Sequence, residues 1–121
     1  MNRRHFTLAA AATRAAAQLP FASSAYAQAI ATLKMMIPAN PGGGWDQTGR
    51  ALAAAMQSAK AVGSVQFDNK GGAAGTIGLT QFINAQKGDP NAVLMGGMVM
   101  VGGIVLNKSP VNLTMVTPLA R

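Results

Sequence analysis

An α/β fold, made of consecutive βαβ units around a parallel sheet, is what the 121-residue sequence predicts. Three observations carry the prediction. Apolar, strand-like runs begin near residues 33, 65 and 92, a spacing of about 30 residues that matches one βαβ unit. Each run is followed by a glycine-rich turn and then by a stretch of helical character. The third run, Ala92-Val93-Leu94-Met95, is apolar throughout, as a central strand of a parallel sheet should be.

The elements follow in order. Residues 1–27 read as an export signal. Asn2-Arg3-Arg4-His5 is basic, an Ala-rich segment follows, and Ser24-Ala25-Tyr26-Ala27 supplies the small-x-small pattern that places cleavage after Ala27. The apolar stretch is short and broken by Arg14, which argues against a transmembrane helix. Arg3-Arg4-x-Phe6 matches a twin-arginine signal in part, so the general and twin-arginine routes both stay open. After a linker at 28–32, the first strand spans 33–37, and Pro38 and Pro41 keep the chain extended. Asp46 or Thr48 caps a helix running to about residue 60, with Leu52, Met56 and Ala59 on its apolar face. Gly63 ends that unit.

The second strand is Val65-Gln66-Phe67, followed by a glycine-rich turn at 68–75. The next helix, 76–86, carries Ile77, Phe82 and Ile83, with Leu79 on its flank. Residues 87–90 form a turn before the third strand. Gly96-Gly97 breaks that strand, 98–106 is a short apolar helix, 107–112 is a loop, and 116–121 reads as a fourth strand. The strand character at the end, with no C-cap, turn or closing helix, predicts a truncated or partial sequence. In a parallel sheet all three glycine-rich turns fall at the carboxyl edge, where open α/β sheets bind ligands.

Composition narrows the chemistry. Beyond residue 27, seven cations (Lys34, Arg50, Lys60, Lys70, Lys87, Lys108, Arg121) face three aspartates (Asp46, Asp68, Asp89), a net +4 against +7 for the whole chain. The cations are dispersed and aromatics few, which argues against nucleic acid and suits a small anion. There is no cysteine, and the single histidine, His5, lies in the leader. Disulfides, Ser/His/Asp or Cys/His catalysis and common zinc sites are therefore excluded from residues 28–121.

The run Asn40-Pro41-Gly42-Gly43-Gly44-Trp45-Asp46-Gln47-Thr48-Gly49-Arg50 exposes backbone N–H groups at the positive end of a helix dipole, a ready site for a carboxylate or phosphate. Two nucleotide motifs nearly fit. The P-loop fails because Arg50-Ala51 stands where Lys-Ser/Thr belongs, and a dinucleotide fingerprint fails because Gln47 replaces the third glycine. Asp68 nonetheless ends the second strand where an acid would bind a ribose hydroxyl, so an exported dinucleotide-binding oxidoreductase fragment remains the alternative function. Asp46 and Asp68 could meet as a metal or acid/base pair, or serve as a helix cap and a turn residue; Asp89, before Pro90, is a turn residue. Trp45 either lines a ligand cleft or covers the helix start. Arg50 either pairs with a ligand or with Asp46, four residues back. Thr76 either caps its helix or offers its hydroxyl to an anion. Met95, Met98 and Met100 belong to a core or a pocket wall rather than a metal site.

Pro41-Gly42-Gly43-Gly44-Trp45-Asp46 with Arg50, then Asn69-Lys70-Gly71-Gly72-Ala73-Ala74-Gly75-Thr76-Ile77-Gly78, resembles the substrate-binding proteins of tripartite tricarboxylate transporters, the TctC/Bug-like family. Leu94-Met95-Gly96 and Val116-Thr117-Pro118-Leu119-Ala120 fit the same pattern, so the resemblance runs from about residue 33 to the end. It implies a periplasmic, two-lobed type II binding protein, non-catalytic and without cofactor or metal. Such a protein would act as a monomer that captures a citrate-like di- or tricarboxylate for a membrane permease. Carried over by position, ligand contacts fall on Gly42, Gly43, Gly44, Trp45 and Asp46, on Gly72, Ala73, Ala74, Gly75 and Thr76, and on Gly96 and Gly97. By the same resemblance, residues 28–121 are the N-terminal part of lobe 1, and the second lobe has no counterpart in them.

Overall fold

The computed structural model describes residues 30–120; the leader, its cleavage point after Ala27 and Arg121 lie outside them. Strand β1 spans Ile30–Ile37, helix α1 Gly44–Ser58, strand β2 Val62–Asn69, helix α2 Thr76–Ala85, strand β3 Ala92–Leu94 and helix α3 Met98–Leu106. Two single 3₁₀ turns, Ala73–Gly75 and Leu113–Met115, complete the order. All pairings are parallel and the sheet order is β2-β1-β3, which makes this a small α/β domain. The middle strand is the apolar Leu-Lys-Met-Met-Ile run. Leu33, Met35, Met36 and Ile37 are all buried there, as a strand covered on both faces requires.

The core forms where α1 lies on the sheet. Leu33, Met35 and Ile37 share one face of β1 and pack with Ala53 of α1 and Val62 of β2. The buried stripe of α1 is Asp46, Gly49 and Ala53; of the expected face, Met56 is half-buried and packs against the core, while Leu52 and Ala59 are exposed. The reason is close approach: a Cβ on Gly49 would stand 2.9 Å from Ile37 Cδ1, so only a small-residue stripe brings the helix down onto the strand. Leu52 is left 45% exposed. Helix α2 likewise turns Gly78 and Leu79 inward and leaves Ile77 53% exposed, so Leu79 is the core residue rather than a flank.

Other boundaries shift for local reasons. Strand β1 begins at Ile30, inside the expected linker. Gly63 lies within β2 instead of ending the preceding unit, and a side chain there would meet the Ala31 carbonyl at 2.7 Å. Residues 116–120 do not form a fourth strand. Val116 is extended, but nothing pairs with the segment, and Pro118 lacks the N–H a ladder needs. Helices α1 and α3 both end in the same way, with Lys60 and Lys108 at positive φ (57° and 47°). In each, the next residue's N–H returns to the third-last helical carbonyl (Ala61 to Met56, Ser109 to Ile104), a Schellman closure in which lysine occupies the usual glycine position.

Candidate functional site

The three connections that leave the carboxyl ends of the strands come together. The β1–α1 and β2–α2 loops and the first turn of α3 enclose an open cleft of about 350 Å³. It is lined by Pro38, Ala39, Asn40, Gly44 and Trp45 from the first connection. Gly71, Gly72, Ala74 and Gly75 come from the second, and Val99 from α3. Strand β1 sends its chain to β2 on one side while β3 lies on the other, so the cleft occupies a switch point of the strand order.

Helix α1 opens into this cleft without a side-chain cap. Gly43 is the N-cap, in extended conformation, and its carbonyl accepts the first helical hydrogen bond from Gln47 N–H at 3.0 Å. The N–H groups of Gly44, Trp45 and Asp46 have no partner among the described residues, and Gly44 and Trp45 line the cleft. Asp46 is therefore not the cap. At the third helical position it reaches back past the N-cap, and its Oδ2 accepts from Gly42 N–H at 2.8 Å, one residue earlier than the N-cap N–H that a capping box uses.

Asp46 is buried and fully engaged. Arg50 Nε donates to its Oδ2 at 3.0 Å, and Asn69 Nδ2 donates to its Oδ1 at 2.9 Å and to the Ala39 carbonyl at 3.1 Å. The Arg50 hydrogen bond first, then Gly42 N–H and Asn69, hold this carboxyl well below the usual carboxylate range, against the opposing effect of burial. The Arg50 guanidinium also sits 4.6 Å from the centre of the Phe67 ring. Arg50 is thus the partner of Asp46, and Asn69, at the end of β2, ties the first loop to the second. Asp46 and Asp68 have separate partners: Gly42, Arg50 and Asn69 engage Asp46, and Lys70 lies 3.6 Å from Asp68. Asp89 accepts from Asn91 N–H and from Lys34 Nζ, both at 2.9 Å, in the expected turn. Among the described residues no three His, Cys, Asp or Glu side chains cluster as a metal site.

The second loop is held in an unusual backbone. Ala73 and Ala74 both have positive φ, 45° and 55°, a conformation that costs an alanine about 1–2 kcal/mol. Three contacts support it. Thr76 Oγ1 and Asn107 Nδ2 donate to the Ala73 carbonyl at 2.9 and 3.2 Å. Gly103 of α3 receives Ala74, since a Cβ there would lie 2.6 Å from the Ala74 Cβ. Thr76 accordingly neither caps α2, whose N-cap is Gly75, nor lines the cleft.

Trp45 is the hinge pin of the three loops. A Cβ on Gly75 would meet its Cζ3 at 2.8 Å, and one on Gly97 its Nε1 at 3.1 Å. Gly97 thus backs the indole, and Gly96 sits beside Met100; neither lines the cleft. Of the twelve residues expected at the site, five line it directly: Gly44, Trp45, Gly72, Ala74 and Gly75. Gly42, Gly43, Asp46, Ala73, Thr76, Gly96 and Gly97 lie behind or beside those walls. Five further residues line the cleft: Asn40 and Gly71, which lie within the two glycine-rich runs without having been assigned to the ligand, and Pro38, Ala39 and Val99, which lie outside them. The sequence signal of the last three is position alone, within four residues of a glycine run. Comparison with protein-family models, with curated proteins and with solved structures returned no match to this chain.

Proposed function

We propose that the protein is an exported, non-catalytic receptor whose cleft holds a carboxylate group of a small di- or tricarboxylate. The observation that carries this reading is the cleft wall itself. It offers unpartnered N–H groups at the start of α1, a tryptophan face and no charged side chain. Of the nearby charges, Arg50 is hydrogen-bonded to Asp46, and Lys70 lies at the exposed surface 3.6 Å from Asp68. Such a wall binds an anion through backbone dipoles and supplies neither a base nor a nucleophile. The resemblance of the two glycine-rich motifs to the TctC/Bug-like proteins points the same way. It gives the proposed lobe type (one lobe of a type II binding protein), the periplasmic setting and delivery to a membrane permease.

Titration of the full chain with citrate and with NAD(P), followed by thermal unfolding and by fluorescence of the single tryptophan, tests the proposal. A bound ligand stabilises by RT ln(1 + [L]/Kd). Stabilisation by citrate with no response to NAD(P) is expected. A response to NAD(P) alone would replace the receptor with the dinucleotide-binding reading.

A further inference from the structure

Asn40 is the one polar side chain of the cleft wall apart from the Trp45 indole N–H. Of the ten lining residues it is the only one with an amide, hydroxyl or charged side chain; the remainder are glycine, alanine, proline, valine and the indole of Trp45. Its backbone is fixed on both sides. The Asn40 carbonyl accepts from Gly43 N–H at 3.1 Å, and Pro41 restricts the following φ. Its side chain is seated against the second loop: any Cβ on Gly71 would collide with Asn40 Oδ1 and stand 3.0 Å from Asn40 N. Gly71 is therefore glycine so that this amide fits between the loops. Among the described residues the Asn40 amide has no hydrogen-bond partner, although Asn69, Gln47 and Asn107 nearby all donate to the protein.

We infer that Asn40 is the specificity-determining side chain of the cleft, reading a second oxygen of a ligand whose carboxylate faces the start of α1. The inference rests on the carboxylate reading above and refines its substrate class. A short, oxygen-rich carboxylate, with a hydroxyl or second carboxyl near the first, is selected over a plain aliphatic one. An amide suits this task because it donates and accepts, and because it adds no charge to a wall that already binds an anion. A carboxylate in its place would repel that anion across a short distance.

The test uses the full chain, with citrate and butyrate as probes and Trp45 fluorescence as readout. Wild-type protein is expected to bind citrate in preference to butyrate. Asn40→Ala should weaken citrate by about five- to tenfold, the worth of one hydrogen bond, and leave butyrate unchanged. Asn40→Asp should weaken citrate further than Asn40→Ala, and part of that loss should return as pH is lowered toward 4. The side chain is exposed, so unfolding midpoints of both variants in the absence of ligand should match wild type within error. Equal citrate affinity in wild type and both variants overturns the role of Asn40 while leaving the receptor reading intact. Absence of citrate binding in the wild type overturns both.

Discussion

Gly75 is the position at which the loop geometry is tested most directly. Its φ is +91° and ψ −4°, in the left-handed region, and it is buried at the start of α2. Replacing it with alanine imposes two separate costs. The backbone term is about 1–2 kcal/mol for an L-residue in that region. The packing term comes from a methyl placed 2.8 Å from Trp45 Cζ3 and 3.1 Å from Met100 Cε, which forces the indole off its seat at about 1–3 kcal/mol. Together Gly75→Ala should cost about 2–5 kcal/mol, a large share of the stability of a small domain. In urea that corresponds to a midpoint lower by roughly 1–3 M, read from the fluorescence of the only tryptophan in the chain. The double variant Gly75→Ala/Trp45→Phe, followed by circular dichroism, separates the two terms. If the indole is the obstacle, the double variant is less destabilised than the sum of the single ones by about 1 kcal/mol or more. Strict additivity, or a Gly75→Ala midpoint within error of wild type, would refute the packing of the loops around Trp45.

Four further outcomes follow from other parts of the molecule. Gly44→Ala adds a methyl that meets nothing within 4 Å, at a helical position, so the midpoint should hold or rise by up to about 1 kcal/mol while citrate titration shows weakened binding at the cleft wall. Lys60→Gly relieves a left-handed lysine at the end of α1 and should stabilise by about 0.5–1 kcal/mol in urea unfolding. Leu79→Ala empties a fully buried site and should cost about 2–5 kcal/mol, whereas Ile77→Ala on the exposed side of the same helix should change the midpoint by less than about 0.5 kcal/mol. The Asp46 carboxyl is depressed when folded, so its contribution is complete above its unfolded value of about 3.9 and is lost as pH falls through the folded value. Wild-type midpoints should therefore fall below about pH 4, and Asp46→Asn should flatten that part of the profile.

What could be read in the sequence was what periodicity and backbone chemistry dictate. The βαβ spacing placed all three strands and all three helices, because strand, turn and helix each leave a local signature. The Asp46–Arg50 pair was legible from i, i+4 spacing alone. What could not be read depended on which neighbour lies opposite. Leu52 and Ile77 have the hydrophobicity of core residues, yet the faces chosen for burial carry Gly49 and Gly78, because close packing on Ile37 and Pro38 requires the absence of a side chain. The fourth strand had propensity but no partner. The role of Asn69 was hidden because it acts across 23 residues of sequence, through a carboxylate that looked like a simple cap.

These errors share a cause that bears on the site. The family resemblance placed Asp46, Thr76 and the paired glycines on a ligand, beside their plainer readings as caps and turn residues. In the structure, Asp46 and Thr76 turn their hydrogen-bonding atoms back onto the loops. The loops need that support: Ala73 and Ala74 are held in a conformation they would otherwise leave, and α1 starts with three N–H groups uncapped. Side-chain polarity therefore holds the backbone in shape, and the backbone faces the cleft. On the proposed carboxylate reading, selectivity comes from the two side chains of the wall that break this division, the Trp45 face and the Asn40 amide. The geometry thus separates two kinds of variant. Substitutions at Asp46 or Asn69 should lower unfolding midpoint and citrate affinity together, because they act through loop shape. Substitutions at Asn40 should move affinity alone, and a change of Asp46 that weakened citrate without moving the midpoint would break that separation.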